Sequence, residues 1–217
     1  MEILFVTDYV CPYCLVAKVA LEEVLKEAGV EATIRTQPFE LTPEPQERVD
    51  TCHDENRKKR WQVLVEPAKE LGLSMKLPPM VCPRPYTRLA FEGWYFAEEH
   101  GLGDEYSDLV YRAYFEKEQD IGDLKILTEI AQQAGLDPEA YRQALLAGTY
   151  TEKEKEAVRY SREVLKVDSV PTLYVDKKRV HPGGCSKEDM FQMLAKCQEE
   201  SQSMPQGGFG CGEGGCG

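Results

Sequence analysis

Long apolar runs are missing from this chain. No stretch approaches the roughly 20 consecutive apolar residues that span a bilayer as a helix. Positive charge is in deficit: 26 Lys and Arg stand against 38 Asp and Glu, a formal net charge of −12. That balance excludes nucleic acid and anionic membrane as the main partner, since both attract basic surfaces. Histidine is scarce, and His53, His100 and His181 share no zinc-like spacing. No fixed-period repeat occurs, and no second C-x-x-C completes a zinc ribbon. The N-terminus, MEILFVTDYV, has no basic n-region, long apolar core or small-residue cleavage site. It reads as a mature strand, so the expected location is the cytoplasm. In that reducing setting the eight cysteines are expected to serve redox or metal chemistry, not a structural disulfide framework.

What is present is a chain of 217 residues, enough for one large domain or two small ones. Glu2 to Thr7 are short, apolar and β-branched, which predicts a buried strand. A helix is predicted from Pro12 to Ala28, with Ala17, Leu21, Val24, Leu25 and Ala28 on one face and Gly29 ending it. Val30 to Gln37 alternate as a second strand. Helical patterns interrupted by proline and charge then fill residues 42–155. Leu124, Leu127, Ile130, Ala131 and Ala134 form a stripe with Asp123 as cap. Asp137-Pro138 reads as a second cap, and Thr151 with Glu154 as a capping box. Strands return at Thr172–Val175 and Arg179–His181, joined as a hairpin. A last helix starts at Ser186 and carries Met190, Phe191, Leu194 and Ala195. The expected divisions are an N-terminal part (1–41), a helical insertion (42–155), a C-terminal part (156–200) and a flexible Gly/Cys tail (201–217).

The chemistry concentrates at Cys11-Pro12-Tyr13-Cys14, just after a strand and at a helix start. The thiolate is the nucleophile, and cysteines at helix N-termini have pKa values lowered from about 8.5 to roughly 3.5–7.5. Unpaired amides and the helix dipole supply that effect. Pro12 lacks an amide hydrogen, which costs little in a first turn. The spacing predicts an exposed, attacking Cys11 and a half-buried, resolving Cys14. The competing reading is a reduced pair or half a zinc site. Val170-Pro171-Thr172 precedes the third strand; it is either an ordinary strand-opening proline or a cis proline beside the dithiol.

These segments bring a family into view. Asp8-Tyr9-Val10-Cys11-Pro12-Tyr13-Cys14, Gln37-Pro38-Phe39-Glu40-Leu41, Tyr114-Phe115, Asp120-Ile121-Gly122-Asp123, Ala134-Gly135-Leu136-Asp137-Pro138 and Val170-Pro171-Thr172 occur in that order. In this the chain resembles the DsbA-like branch of the thioredoxin superfamily, and within it the FrnE group. That group stands near the 2-hydroxychromene-2-carboxylate isomerases and kappa-class glutathione transferases. The resemblance covers residues 1 to about 200. It implies an α/β thioredoxin fold, β-α-β then β-β-α, with a large all-helical insertion. It also implies that Cys11 and Cys14 are the redox pair, that Pro171 is the cis proline, and that Pro12, Tyr13 and Val170 border the substrate. FrnE-like proteins commonly carry tryptophan at the position of Tyr13, whereas Cys-Pro-Tyr-Cys is familiar from glutaredoxins and points to glutathione.

The expected function is thiol–disulfide exchange with protein or small-molecule thiols and disulfides, and the cycle needs no cofactor. A second copy of the chain is a candidate partner. Two alternatives stand beside it: a glutathione-dependent isomerase or transferase, and a soft-metal carrier using the tail. The isomerase branch usually carries serine at the position of Cys11. Cys82, expected where the insertion covers the active site, and Cys185, after the Gly183-Gly184 turn, are expected to line the mouth. Cys52 reads as a bystander or surface thiol, and Cys197 as a packing residue. Cys211 and Cys216 form a mobile second dithiol, a soft-metal site or an inert end.

Overall fold

The short apolar run at the N-terminus forms strand β1 (Glu2–Thr7). Helix α1 (Pro12–Glu27) follows it, and strand β2 (Thr33–Pro38) pairs parallel to β1. The computed structural model describes residues 1–203. The tail that holds Cys211 and Cys216 lies outside them. Strand β3 (Thr172–Val175) runs antiparallel to β1, and β4 (Lys178–Val180) antiparallel to β3. The sheet order is β2-β1-β3-β4, with the closing helix α9 (Lys187–Ser203). Asp176 and Lys177 both take positive φ, 47° and 71°, as a two-residue hairpin turn of matching twist requires.

Alternation along the strands gives the sheet two faces. Ile3, Phe5, Leu173 and Val175 share a core with Leu21, Val24 and Leu25 of α1 and Met190 and Leu194 of α9. Val6 and Tyr174 pack with Phe39 and Val167 on the other face. Ala28 is exposed at the C-cap of α1, so it does not extend the apolar stripe. Phe191 is likewise turned out to solvent. At the start of α9, Asp189 accepts from the Ser186 backbone and hydroxyl at 3.0 and 2.5 Å.

Between the two halves lie α2 (Glu55–Trp61), α3 (Val65–Glu70), α4 (Arg88–Glu99), α5 (Gly103–Phe115), α6 (Leu124–Gln133), α7 (Pro138–Leu146) and α8 (Thr151–Arg159). Asp123 and Asp137 cap α6 and α7 as the sequence predicts. The capping box at Thr151 does not form. Tyr150 is the N-cap without a side-chain bond, and Glu154 is buried instead of reaching back. Helix α8 continues past residue 155 into a π-turn, Tyr160–Val164, so the expected end of the insertion falls inside a helix. Tyr9, Phe91, Tyr106, Tyr111, Tyr114, Phe115 and Tyr141 build the insertion's core, and Cys11, Cys14 and Leu15 belong to it. The dithiol segment therefore sits where the thioredoxin unit meets the insertion.

Candidate active site

Strand β1 ends at Thr7, and the chain turns at once: the Cys11 amide donates to the Asp8 carbonyl at 3.0 Å. Cys11 is the N-cap of α1, with Pro12 in the first helical position. The Asp8 carboxyl fixes this turn from inside, accepting from the amide of Leu41 at 2.7 Å and that of Val10 at 3.5 Å. It is fully buried. Burial pushes it above the ordinary carboxylate range, although the Leu41 amide, Arg84 and Thr87 oppose the rise. Buried Arg84 is held by Thr42, to whose Oγ1 it donates at 2.5 Å.

Cys11 and Cys14 are both free thiols. The Cys11 Sγ lies 3.5 Å from the Val170 carbonyl oxygen, and the Val170–Pro171 peptide is cis. The N-terminus of α1 and the segment before β3 therefore meet at Cys11. Cys11 is only 4% exposed, which corrects the expectation of an open attacker. It sits in the apolar cluster, with Tyr13 and Val170 packed against it. Cys14 is fully buried rather than half buried. Burial pushes its thiol well above the ordinary range, and the hydrogen bond to Cys11 and the charge of that sulfur add to the rise. The Thr7 hydroxyl and the Asp8 backbone pull the other way. The Thr7 Oγ1 lies 2.6 Å from the hydroxyl of buried Tyr111. Tyr13 is pinned to α2, its hydroxyl donating to the Arg60 carbonyl at 3.2 Å.

Of the two outlying cysteines, Cys185 shares the electrostatic environment of the pair. Burial, then the charge of Cys11 and of Asp189, pushes its thiol up to about 11. Cys82 is a correction: it forms a disulfide with Cys52, 30 residues away. The expectation of no structural disulfide, and of Cys52 as a bystander or surface thiol, fails with it. Cys52 is buried, and the bond ties the chain before α2 to the segment before α4. A groove of about 840 Å³ lies on the far face of the sheet, lined by Leu4, Arg35, Trp94, Tyr160 and Tyr174; it holds none of the dithiol residues.

A DSBA-like thioredoxin domain matches residues 2–195. The chain belongs to this family. Membership brings the enzyme class with it, thiol–disulfide oxidoreductase. An uncharacterized protein of Bacillus subtilis (strain 168), YwbO, is 39% identical over 197 residues, covering 90% of this chain and 96% of that one. A probable DsbA oxidoreductase from Streptomyces coelicolor has a TM-score of 0.75 at 24% identity, covering 92% of this chain and 91% of its own. A 2-hydroxychromene-2-carboxylate isomerase gives 0.71 at 18%, covering 93% and 98%. The cytosolic disulfide reductase DsbM from Pseudomonas aeruginosa, also solved with GSH, gives 0.68 at 15%, covering 92% and 100%. At these identities the three structures share the fold of this chain. The dithiol, the Val170–Pro171 segment and the helical insertion all fall within the matched residues 2–195. Asp8, Thr7 and Tyr111 acquire their place at the site only through contacts between distant segments, apart from one signal: a lone acidic residue between a strand and the first cysteine.

Proposed function

We propose that this DSBA-like chain exchanges disulfides through Cys11 as nucleophile and Cys14 as resolving thiol. The observation that carries the reading is the seat of Cys11: it caps α1 and lies 3.5 Å from the Val170 carbonyl, with Cys14 buried beneath it. The thiolate is the attacking form of a cysteine such as Cys11. That thiolate attacks a substrate disulfide, giving a mixed disulfide and one substrate thiolate. Cys14 loses its proton and attacks the Cys11 sulfur, releasing the second substrate thiolate and leaving Cys11–Cys14 oxidised. Run backwards, the cycle oxidises a dithiol. Val170 and Pro171, with Pro12 and Tyr13, border the approach. The narrow exposure of Cys11 favours extended chains and small thiols, glutathione among them.

Two substitutions test this. Cys11→Ser is expected to abolish reduction of insulin by dithiothreitol above background. Cys14→Ser is expected to accumulate mixed disulfides that a reductant releases. Full activity in Cys11→Ser protein overturns the assignment.

A further inference from the structure

Asp50, Cys52, His53 and Cys82 form a second cluster of sulfur, nitrogen and oxygen donors that the exchange cycle does not use. One ligand atom each from Asp50, His53 and Cys82 lie within 4.8 Å of one another, at the surface. The Cys52 sulfur is bonded to that of Cys82. His53 Nδ1 lies 2.8 Å from Asp50 Oδ2, the two sharing a proton. Two contacts fit the disulfide poorly. Asp50 Oδ1 is 3.2 Å from Cys82 Sγ, yet a disulfide sulfur has no proton to donate to it. A thiol does, and a cation between the two atoms would draw both. The Cys52 amide also points at Cys82 Sγ, at 3.2 Å. A thiolate is a far stronger acceptor for that N–H than a disulfide sulfur.

We propose that reducing the Cys52–Cys82 bond opens a site for one thiophilic divalent cation of the Zn²⁺ class. Its ligands are Cys52 Sγ, Cys82 Sγ, His53 Nδ1 and one Asp50 oxygen, a donor set that zinc accepts. A dithiol reductant supplies two electrons and two protons and leaves as its own disulfide. The cation then displaces both thiol protons to solvent. It takes the place of the proton between His53 and Asp50, which moves to Nε2. Zinc bonds of about 2.0–2.3 Å set tetrahedral neighbours roughly 3.3–3.8 Å apart. The His53–Asp50 pair needs to part by only about 0.5 Å to reach that spacing. The two sulfurs separate by rotation about their Cα–Cβ bonds, with Cα atoms 6.2 Å apart. The disulfide and the metal are then exclusive states of one site.

The test uses the full chain with Cys11, Cys14, Cys211 and Cys216 replaced by serine, so that those thiols take no metal. Co²⁺ is the probe, because thiolate ligation gives it a charge-transfer band. Oxidised protein is expected to show no band. Protein reduced with a phosphine, which becomes its oxide, is expected to bind one equivalent, which Zn²⁺ displaces. Cys82→Ser is expected to remove the band, and His53→Ala to weaken binding at least about tenfold. His53→Ala keeps the disulfide, so its fold is checked in the oxidised state before reduction. In the unmutated chain, Zn²⁺ is expected to shield Cys82 from alkylation. No band after reduction, or an unchanged band and affinity in both Cys82→Ser and His53→Ala, overturns the proposal.

Discussion

The second step of the proposed exchange asks most of Cys14, a fully buried thiol that burial and its neighbour hold in the protonated form. Thr7 is the side chain that works against this, and Tyr111 backs it through a 2.6 Å contact between hydroxyls. The pair forms a short donor chain, Tyr111 to Thr7 to the Cys14 sulfur, in surroundings where one hydrogen bond to a charged group is worth about 1.5–3 kcal/mol. Thr7→Val keeps the shape of the side chain and removes the hydroxyl. It is expected to slow the resolving step by about tenfold, a loss of about 1.4 kcal/mol, while the first attack by Cys11 keeps its rate. Quenched-flow measurement of the mixed disulfide separates the two steps; an equal slowing of both would show a general disturbance instead. None of this was legible in the sequence. Cys11 and Cys14 stand out by local pattern, since a strand and a helix start are neighbours in the chain, whereas Pro171 is singled out only by the family resemblance. Thr7 and Tyr111 are 104 residues apart, and each reads alone as an ordinary core residue.

The helices of the insertion are held at fixed distances by buried tyrosines, and α4 shows how closely. A Cβ on Gly93 would stand 2.0 Å from the Tyr141 hydroxyl and 2.4 Å from that of Tyr106. Those two hydroxyls bond each other at 2.7 Å, so neither retreats without breaking the pair. Gly93→Ala is therefore expected to cost about 1–3 kcal/mol by overpacking, although alanine is the better helix former. Denaturant unfolding checks the value; a stabilised variant would mean that α4 shifts freely. At this scale the sequence told more. The caps Asp123 and Asp137 work as read, because a cap is decided within four residues. Glu154 misled, because the pull of the core on α8 outweighed a local capping pattern. The disulfide also escaped, since the partner of Cys52 is chosen by the path of the chain between α3 and α4 and not by spacing.

Across the whole molecule, burial of carboxyls sets a pH dependence. Burial, with the nearby carboxyls of Glu40 and Glu92, pushes Glu154 up to about 9. Burial and the charge of Asp8 push Glu40 up to about 7. Both start from an ordinary value of 4.5, so above it the unfolded chain gives up protons that the folded chain keeps. Their contribution to stability is complete below about pH 4.5 and is lost as pH rises, through about 7 for Glu40 and about 9 for Glu154. Glu154→Gln is expected to remove the fall between pH 7 and 9 and about half of the fall that the two groups share between about pH 4.5 and 7, where each contributes one proton to the slope. Unfolding free energies measured across this range decide it, and an unchanged fall above pH 7 would assign it to other groups. The placing of Cys11 and Cys14 within the insertion's aromatic core carries a last consequence. Folding and electron transfer share one thermodynamic square, so the free energy by which packing prefers the closed pair over the open one is read directly in millivolts. A core substitution that favours one form by about 1.4 kcal/mol shifts the midpoint by about 30 mV. In the proposed cycle the aromatic helices thereby act as the voltage setting of the Cys11–Cys14 pair.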